Sequence, residues 1–584
     1  MTGIKQKFYI ACFWSLVFYT AIAQSPDEHI RLNQAGFYPS APKIAVLVND
    51  STDNRFFVIN KTNHDTAYKG TLSVLHRSNN SSLCTRIAAF SGLDKPGNYI
   101  VVAGDKESYP FSIQKNVLHE VAVASLKSYY YQRMSMPLEE RYAGKWARAE
   151  GHPDTVVYVH GSAATIQRPE GTIIQSPGGW YDAGDYNKYI VNSGITVATL
   201  LSAYEDFSNY FDALKTNIPE SSDHTPDILI EALYNIRWML SMQDPDDGGV
   251  YHKCTNANFD KMIMPDKATE KRYVVQKSTA ATLDLAAVCA QASRIFSKYK
   301  KQFPGLPDSC LNAAIKAWQW AEKNPNILYK QNEMNKQFQP AITTGAYGDN
   351  NVTDEWFWAA CELYATTKDE KFYSTVQDKI NTPVSLPTWS NVFMLGYYTL
   401  IRKEKILTAH KDDMASVKNK LVAFADAYMN NISTNALATV MGGDKKDFNW
   451  GSNSNAANEG IVLINAYFIT QNKNYLEAAL TNVDYILGRN ATGYCFVTGI
   501  GTKSPMHPHH RPSIADGIEE PVPGLLAGGP NPGRQDGCKY QFTEPETAYT
   551  DDDCSYASNE IAINWNAPLV YVLNAIEALQ NKLK

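Results

Sequence analysis

Residues 225–249 read TPDILIEALYNIRWMLSMQDPDDGG, and this stretch decides the larger part of the fold. Ile228, Leu229, Ala232, Leu233, Ile236, Met239 and Leu240 recur at the three- and four-residue steps of a helix and form one apolar face. Thr225 can cap that helix, and Pro226 suits its first turn. Asp244-Pro245 and the run Asp246-Asp247-Gly248-Gly249 stop it. Similar faces recur at about residues 278–297, 309–322, 353–367, 388–402, 413–430, 455–471, 473–488 and 561–582. Polar loops join them in pairs, which predicts antiparallel helical hairpins. Periodicity thus makes residues 114–584 an all-α domain.

Upstream the period changes from 3.6 to 2. KIAVLV, RFFVIN, GTLSVL, NYIVVA and YPFSI alternate apolar and polar residues, with turn clusters at Asn49-Asp50-Ser51 and Ser78-Asn79-Asn80-Ser81. This rhythm predicts a small antiparallel β-sandwich over residues 24–113. No long Pro- or Gly-rich linker follows at Gln114, so the two domains are expected to pack rather than to be tethered. Residues 1–23 read as a cleaved secretory signal: Lys5 and Lys7, an apolar run from Phe8 to Phe18, then Ala21-Ile22-Ala23 before Gln24. That predicts a secreted protein, periplasmic or extracellular. No segment reaches the roughly 18 apolar residues of a membrane span.

Composition narrows the function classes. A chain of 584 residues exceeds one ordinary core, and 44% hydrophobic with 20% charged residues predicts a well-buried globular protein. The formal net charge of −6 offers no basic footprint for nucleic acid. Thirty-five Tyr and 11 Trp suit a cleft that stacks on sugar rings, although core filling accounts for many of them. A monomer is expected.

Two runs carry the chemistry. GGWYDAGDYNKYI holds Asp182 and Asp185, and YTDDDCSYASNEIAINWNA holds Asp551 and Glu560. An isolated Asp-x-x-Asp is more often a solvated turn or a helix cap. The second run, with Tyr556, Glu560, Asn566 and Ala567, reverses that reading only through the family signature it resembles, named below. Glycosidic hydrolysis with inversion needs a carboxylate base for water and a carboxylic acid for the leaving oxygen, about 6.5–9.5 Å apart. A tight turn at Gly184 would aim Asp182 and Asp185 at one water. Tyr556, Ile561, Ile563 and Trp565 would supply apolar surroundings that keep Glu560 protonated.

Together these motifs resemble glycoside hydrolase family 9, the inverting cellulases and their relatives. A third run, VTGIGTKSPMHPHHRP, is similar to the family's histidine signature, with Cys495 as its one small departure. GGVYHK, STAATLDLAAV, NWGSNS, YILGRNATG and LAGGPNPGRQDGCKY follow in the family's order. The resemblance implies an immunoglobulin-like sandwich followed by twelve helices closed into an (α/α)6 barrel. It implies that Asp185 is the general base, that Asp182 orients the water and that Glu560 is the general acid, with Asp551 and His509 in the same machinery. Arg511, His252, Trp565 and Tyr556 are expected to bind a β-glucan substrate. The implied activity is endo-β-1,4-glucan hydrolysis. Exo-acting release of cellobiose or single sugars uses the same carboxylates, and a non-catalytic glycan-binding relative would have lost one of them.

No cofactor is required for this chemistry. Family members hold calcium where this chain has Asp354 and Glu355 in GDNNVTDEWFWAACELY, although acidic residues also favour a helix N-terminus. Some carry a two-Cys, two-His zinc site; here Met134 and Gly151 stand in the Cys places and leave His152 and His160, too few for structural zinc. Cys289 and Cys361 are expected as buried thiols. Cys538 and Cys554 share the acid-side loop, and spacing alone leaves open whether they are bridged.

Overall fold

A computed structural model describes residues 28–49, 54–405 and 407–583, so the signal-like segment 1–23 lies outside the described residues. The first part is built of β1 (Ile30–Arg31), β2 (Ile44–Val48), β3 (Arg55–Asn60), β4 (Thr66–Thr71), β5 (His76–Arg77), β6 (Cys84–Ala89), β7 (Gly97–Ala103), β8 (Lys106–Glu107) and β9 (Phe111–Ile113). One sheet runs β1-β2-β6-β5; the other runs β4-β3-β7-β8, with β9 also on β7. Every pairing is antiparallel. Between the sheets Phe37 meets Phe90 and Phe111 edge-on, at 5.4 and 5.3 Å between ring centres.

The period-2 reading finds β2, β3, β7 and β9 but misplaces the middle. GTLSVL is mostly not a strand: Val74 and Leu75 are exposed. The strand there is β4, TAYKGT, whose sequence hides it because it is an exposed edge with no alternation. Strand β6, CTRIAA, also escapes the apolar pattern.

After β9 the chain becomes helical. Among the described residues twelve helices of ten or more residues follow: α1 (His119–Gln132), α2 (Ile190–Ala213), α3 (Asp227–Ser241), α4 (Thr279–Phe296), α5 (Leu306–Lys323), α6 (Thr353–Thr367), α7 (Glu370–Lys379), α8 (Phe393–Lys403), α9 (Lys411–Met429), α10 (Ser452–Thr470), α11 (Lys473–Ile486) and α12 (Ile563–Leu579). Nine were legible as periodic faces. The longest, α2, was not, because it is buried nearly all round from Ile190 to Tyr204 and therefore shows no polar face. In α3 the expected cap fails. Thr225 makes no capping bond, and Asp227 at the first turn instead accepts from Thr216 and Ser221.

A small sheet unforeseen in the sequence lies within this helical part. Its strands are β10 (Val157–Val159), β11 (Ile173–Ile174), β12 (Lys188–Tyr189), β13 (Lys253–Asn256) and β14 (Arg272–Val274), in the order β11-β10-β14-β13-β12. It sets the end of the Asp182/Asp185 run beside the GGVYHK strand. The sandwich packs directly on the helices. Val46 and Val48 cluster with Leu437 and Ala491, Asn33 donates to Asp484 at 2.8 Å, and the Tyr38 hydroxyl donates to Glu577 at 2.5 Å. No helix of the described residues is long and apolar enough to cross a membrane.

Candidate active site

A cleft of 890 Å³ opens where the two acidic runs meet. The first run is anchored at both ends: Tyr181 N–H donates to the carbonyl of Gln132 at the end of α1, and Lys188–Tyr189 forms β12. The second run reaches it along a short extended stretch before α12. Ile563 N–H donates to the Asp182 carbonyl at 2.8 Å, and Gly528 N–H to the Glu560 carbonyl. The histidine run lies between them. His509 forms a parallel bridge with Glu560, and Arg511 N–H donates to the Gly184 carbonyl. A β-carbon on Gly184 would stand 2.1 Å from the His509 carbonyl oxygen, so glycine is required there for space. Its φ is not in the left-handed region, so the expected permissive turn is not the reason.

Asp182, Asp185 and Glu560 all line this cleft. Asp182 is buried, and its carboxylate accepts from Asn192 Nδ2 at 2.9 and 3.1 Å and from the Tyr347 hydroxyl at 2.9 Å. Burial, then the neighbouring Asp185, raises its pKa well above the usual range despite those donors. Asp185 accepts on Oδ2 from Asn187 Nδ2 at 2.5 Å and from the Tyr189 hydroxyl at 3.0 Å. Glu560 is pushed well up by desolvation first and then by Asp185 and Asp182; Arg511 opposes this. One cleft therefore holds a carboxyl group whose surroundings favour its protonated form and a second carboxyl group held by two donors. That pairing can run general acid and general base chemistry on one bond.

The remaining expected site residues divide. Trp565 and Tyr556 line the cleft, Tyr556 with its hydroxyl on the Gln535 carbonyl at 2.8 Å and its ring 5.4 Å from that of Trp450. His509 also lines it. Its Nδ1 meets the Asp553 carbonyl at 2.6 Å, which makes Nδ1 the protonated nitrogen, and burial lowers its pKa. Arg511 lines the cleft, with Nη1 on the Gly184 carbonyl at 2.7 Å and Nη2 and Nε on the Asp260 carbonyl at 2.9 and 3.0 Å. It clamps the Asp182/Asp185 run to the 256–260 loop.

Two expected site residues are not among those that line the cleft. His252 does not reach the cleft. It is buried, with Nδ1 on Ser278 Oγ at 2.9 Å, Nε2 on the Ala346 carbonyl at 3.0 Å and its ring stacked on Tyr329. Both ring nitrogens are thus committed, and the residue supports the loop that carries Tyr347. Asp551 does not line the cleft either. Its carboxylate accepts from the backbone N–H of Met506 and His507 and from Asn559 Nδ2, at 2.8 to 3.0 Å. It braces the histidine run. Sequence reasoning missed Tyr347, Tyr189, Trp389, Trp450 and Phe259 on the cleft wall. Trp450 and Phe259 are 43% and 48% exposed, and exposed aromatic residues were the available signal.

Among the described residues no three His, Cys, Asp or Glu side chains converge as metal ligands. Asp354 Oδ2 accepts from Val392 N–H at 2.8 Å at the start of α8. Both carboxylate oxygens of Asp284, with Asp349 Oδ2 and Glu355 Oε2, are buried without a hydrogen-bond partner. His152 Nδ1 meets the Tyr181 hydroxyl at 3.1 Å, and His160 Nε2 meets the Pro340 carbonyl at 3.0 Å. Cys289 and Cys361 are buried free thiols, and Cys538 is bridged to Cys554.

Comparison with known proteins agrees with the geometry. A family described as "Glycosyl hydrolase family 9" matches residues 119–573, and "Cellulase N-terminal ig-like domain" matches residues 25–108. A xyloglucan-specific endo-beta-1,4-glucanase of Bacteroides ovatus is 47% identical over 556 residues, covering 95% of this chain and 94% of its own. Endoglucanase D of Acetivibrio thermocellus is 33% identical, with 94% and 83% covered. A solved family 9 protein of Bacteroides ovatus superposes with a TM-score of 0.91 at 45% identity, over 95% of this chain and 100% of that one.

Proposed function

This chain belongs to glycosyl hydrolase family 9, and from that premise we propose that it cleaves internal β-1,4 bonds of a glucan backbone with inversion. Xyloglucan, the substrate named for its 47% identical relative, is the first polymer to test. In this reading Asp185 takes a proton from a water that Asp182 helps to hold. The hydroxyl attacks the anomeric carbon while Glu560 protonates the leaving glycosidic oxygen on the other side. No cofactor takes part in these steps. The observation that carries the reading is the shared cleft of Glu560, whose surroundings favour the protonated form, and Asp185, a carboxylate already bound by two donors. His509 and Arg511 hold this geometry, Asp551 braces the histidine run, and Tyr556, Trp565 and Trp450 stack on sugar faces. Proton NMR of early products should show the α-anomer first. On xyloglucan, barley β-glucan and carboxymethylcellulose, mixed oligomers with a fast viscosity drop are expected. Initial β-anomer would overturn the mechanism, and one small product would overturn endo action.

Several finer readings accompany it. The helices fit an (α/α)6 barrel. Support comes from their alternation: α2 packs on α4, α4 on α6, α6 on α8, α10 on α12 and α12 on α2, while α3 packs on α2, α5 on α4, α7 on α6, α9 on α8 and α10, α11 on α10 and α1 on α12. The sandwich over residues 24–113 and the catalytic domain over 114–584 are the corresponding domains. Residues 1–23 act as an export signal, and the mature protein is a monomer. Structural calcium near Asp354 and Glu355 belongs to this reading: carboxylate oxygens of Asp284, Asp349 and Glu355 are buried there without a hydrogen-bond partner and would have to draw together to ligate a hard cation. Structural zinc is not expected. Chelation should lower the melting temperature and added calcium should restore it.

A further inference from the structure

Asn187 lies two residues beyond Asp185, is fully buried, and is fixed at both ends of its side-chain amide. Its Oδ1 accepts from Asn256 N–H at 2.9 Å, Thr255 Oγ at 3.0 Å and Arg272 Nη1 at 3.2 Å. The Asn256 N–H is a fixed donor, and Arg272 can only donate, so the inverted amide would set its N–H groups against donors; the Thr255 hydroxyl, which also meets the Asn256 carbonyl and Thr344, adds to the same side. Nδ2 must therefore face Asp185 Oδ2, which it does at 2.5 Å. Arg272 is held in turn. Its Nε and Nη2 donate to Asp154 at 3.1 and 3.3 Å, and its Nη1 also donates to the Tyr186 carbonyl and Asn256 Oδ1. Asp154 is locked by Lys188 Nζ at 2.8 Å. The small sheet makes this possible, because β13 and β14 bring Thr255, Asn256 and Arg272 beside the base run.

We propose that Asn187 is a positioning residue for hydrolysis: it pins Oδ2 of Asp185 to the protein, so that Oδ1 is the oxygen that receives the proton of the attacking water. The Tyr189 hydroxyl, on the same Oδ2, completes the restraint. This inference rests on the reading of Asp185 as general base. The donor distinguishes an oriented carboxylate from one free to rotate, and it stabilises the ionised form.

Other charged and titratable groups act on Asp185 and stay in place when Asn187 is changed. Asp182 and Tyr189 belong to its own run, and Tyr347 to the 343–347 loop. Lys253 comes from β13, Asp260 from the following loop, His509 from the histidine run and Glu560 from the acid run. Asn187→Ala, which adds no charge, therefore reports on the lost hydrogen bond, whereas Asn187→Asp adds a like charge beside Asp185 as well.

The test is the pH profile of kcat/KM on a soluble oligosaccharide for Asn187→Asp, Asn187→Ala and Asp185→Asn, each checked for folding by circular dichroism. Asn187→Asp keeps the acceptor for Arg272, Thr255 and Asn256 but sets oxygen against oxygen at Asp185. Its acidic limb should move up by about one pH unit or more, with kcat falling about tenfold or more. Asn187→Ala should shift the limb the same way by less, and it decides the matter if the aspartate variant does not fold. KM should change little in either, because the restraint acts on the base and not on the sugar. If Asp185→Asn keeps wild-type turnover, the base assignment fails and the role of Asn187 with it. If Asp185→Asn is inactive while both folded Asn187 variants keep the wild-type limb, the base stands and the positioning role is refuted.

Discussion

Glu560, the proposed general acid, illustrates why a buried carboxyl group is an unfavourable guest in a fold. Burial and two carboxylate neighbours raise its pKa, so the folded state disfavours its ionised form. That penalty is absent below the ordinary glutamate range near about 4.3 and grows as pH rises towards the folded value. Glu560→Gln should therefore raise the melting temperature at neutral pH, and the gain should shrink as pH falls towards about 4. The same variant should lose about 10²–10⁴-fold in kcat. Calorimetry across pH beside steady-state kinetics checks both halves. Gly184 makes the complementary point. With the His509 carbonyl 2.1 Å from where a β-carbon would stand, Gly184→Ala must part the base and histidine runs. A lower melting temperature together with a large loss of kcat is expected, and an unchanged protein would contradict the contact. Asp185 and Glu560 were singled out because their runs resemble the motifs of the family. Asp551 belongs to the same motifs yet faces backbone N–H groups, a direction that spacing cannot show.

The acid-side loop depends on cross-links that sequence only hinted at. The Cys538–Cys554 bridge closes a span of 16 residues that includes Asp553, whose carbonyl holds His509. Within and beside it, Asp536 accepts from Tyr540, Ser555 and Ala557 N–H, and Gln535 receives the Tyr556 hydroxyl. A bridge over a loop of this size contributes about 3 kcal/mol through the denatured state. Replacing both cysteines by serine should lower the melting temperature and reduce kcat, with faster hydrogen exchange across 536–557. Unchanged exchange there would show that the polar contacts suffice alone. Helices were legible where one face meets solvent, as in α3, α5 and α11. Helix α2 was not, since burial on every side erases the period. The small sheet escaped too, because its strands are only two to four residues long and their partners lie far apart in the chain.

The sandwich and the helical part behave as one packed body. Deleting residues 24–113 should expose the surface that Val46 and Val48 cover, and leave Asp484 and Glu577 without Asn33 and Tyr38. Lower solubility and a lower melting temperature are expected, with oligosaccharide hydrolysis retained well below that temperature. Loss of hydrolysis by a folded truncation would instead mean that Ser81 and Ser82, which bond Glu546 and Glu544, transmit support into the acid-side loop. The sequence by itself determined the order of a β module and a helical module, most helical faces, and the carboxylates available for chemistry, because these follow from local period and motif register. Only the tertiary structure decided that His252 is buried away from the cleft, that Asp551 is a brace, that Cys538 and Cys554 are joined, and that Asn187 faces the base. Each of those depends on groups from 16 to 94 residues apart approaching within hydrogen-bond or bonding distance, and the direction of a side chain there is fixed by tertiary packing that no local pattern records.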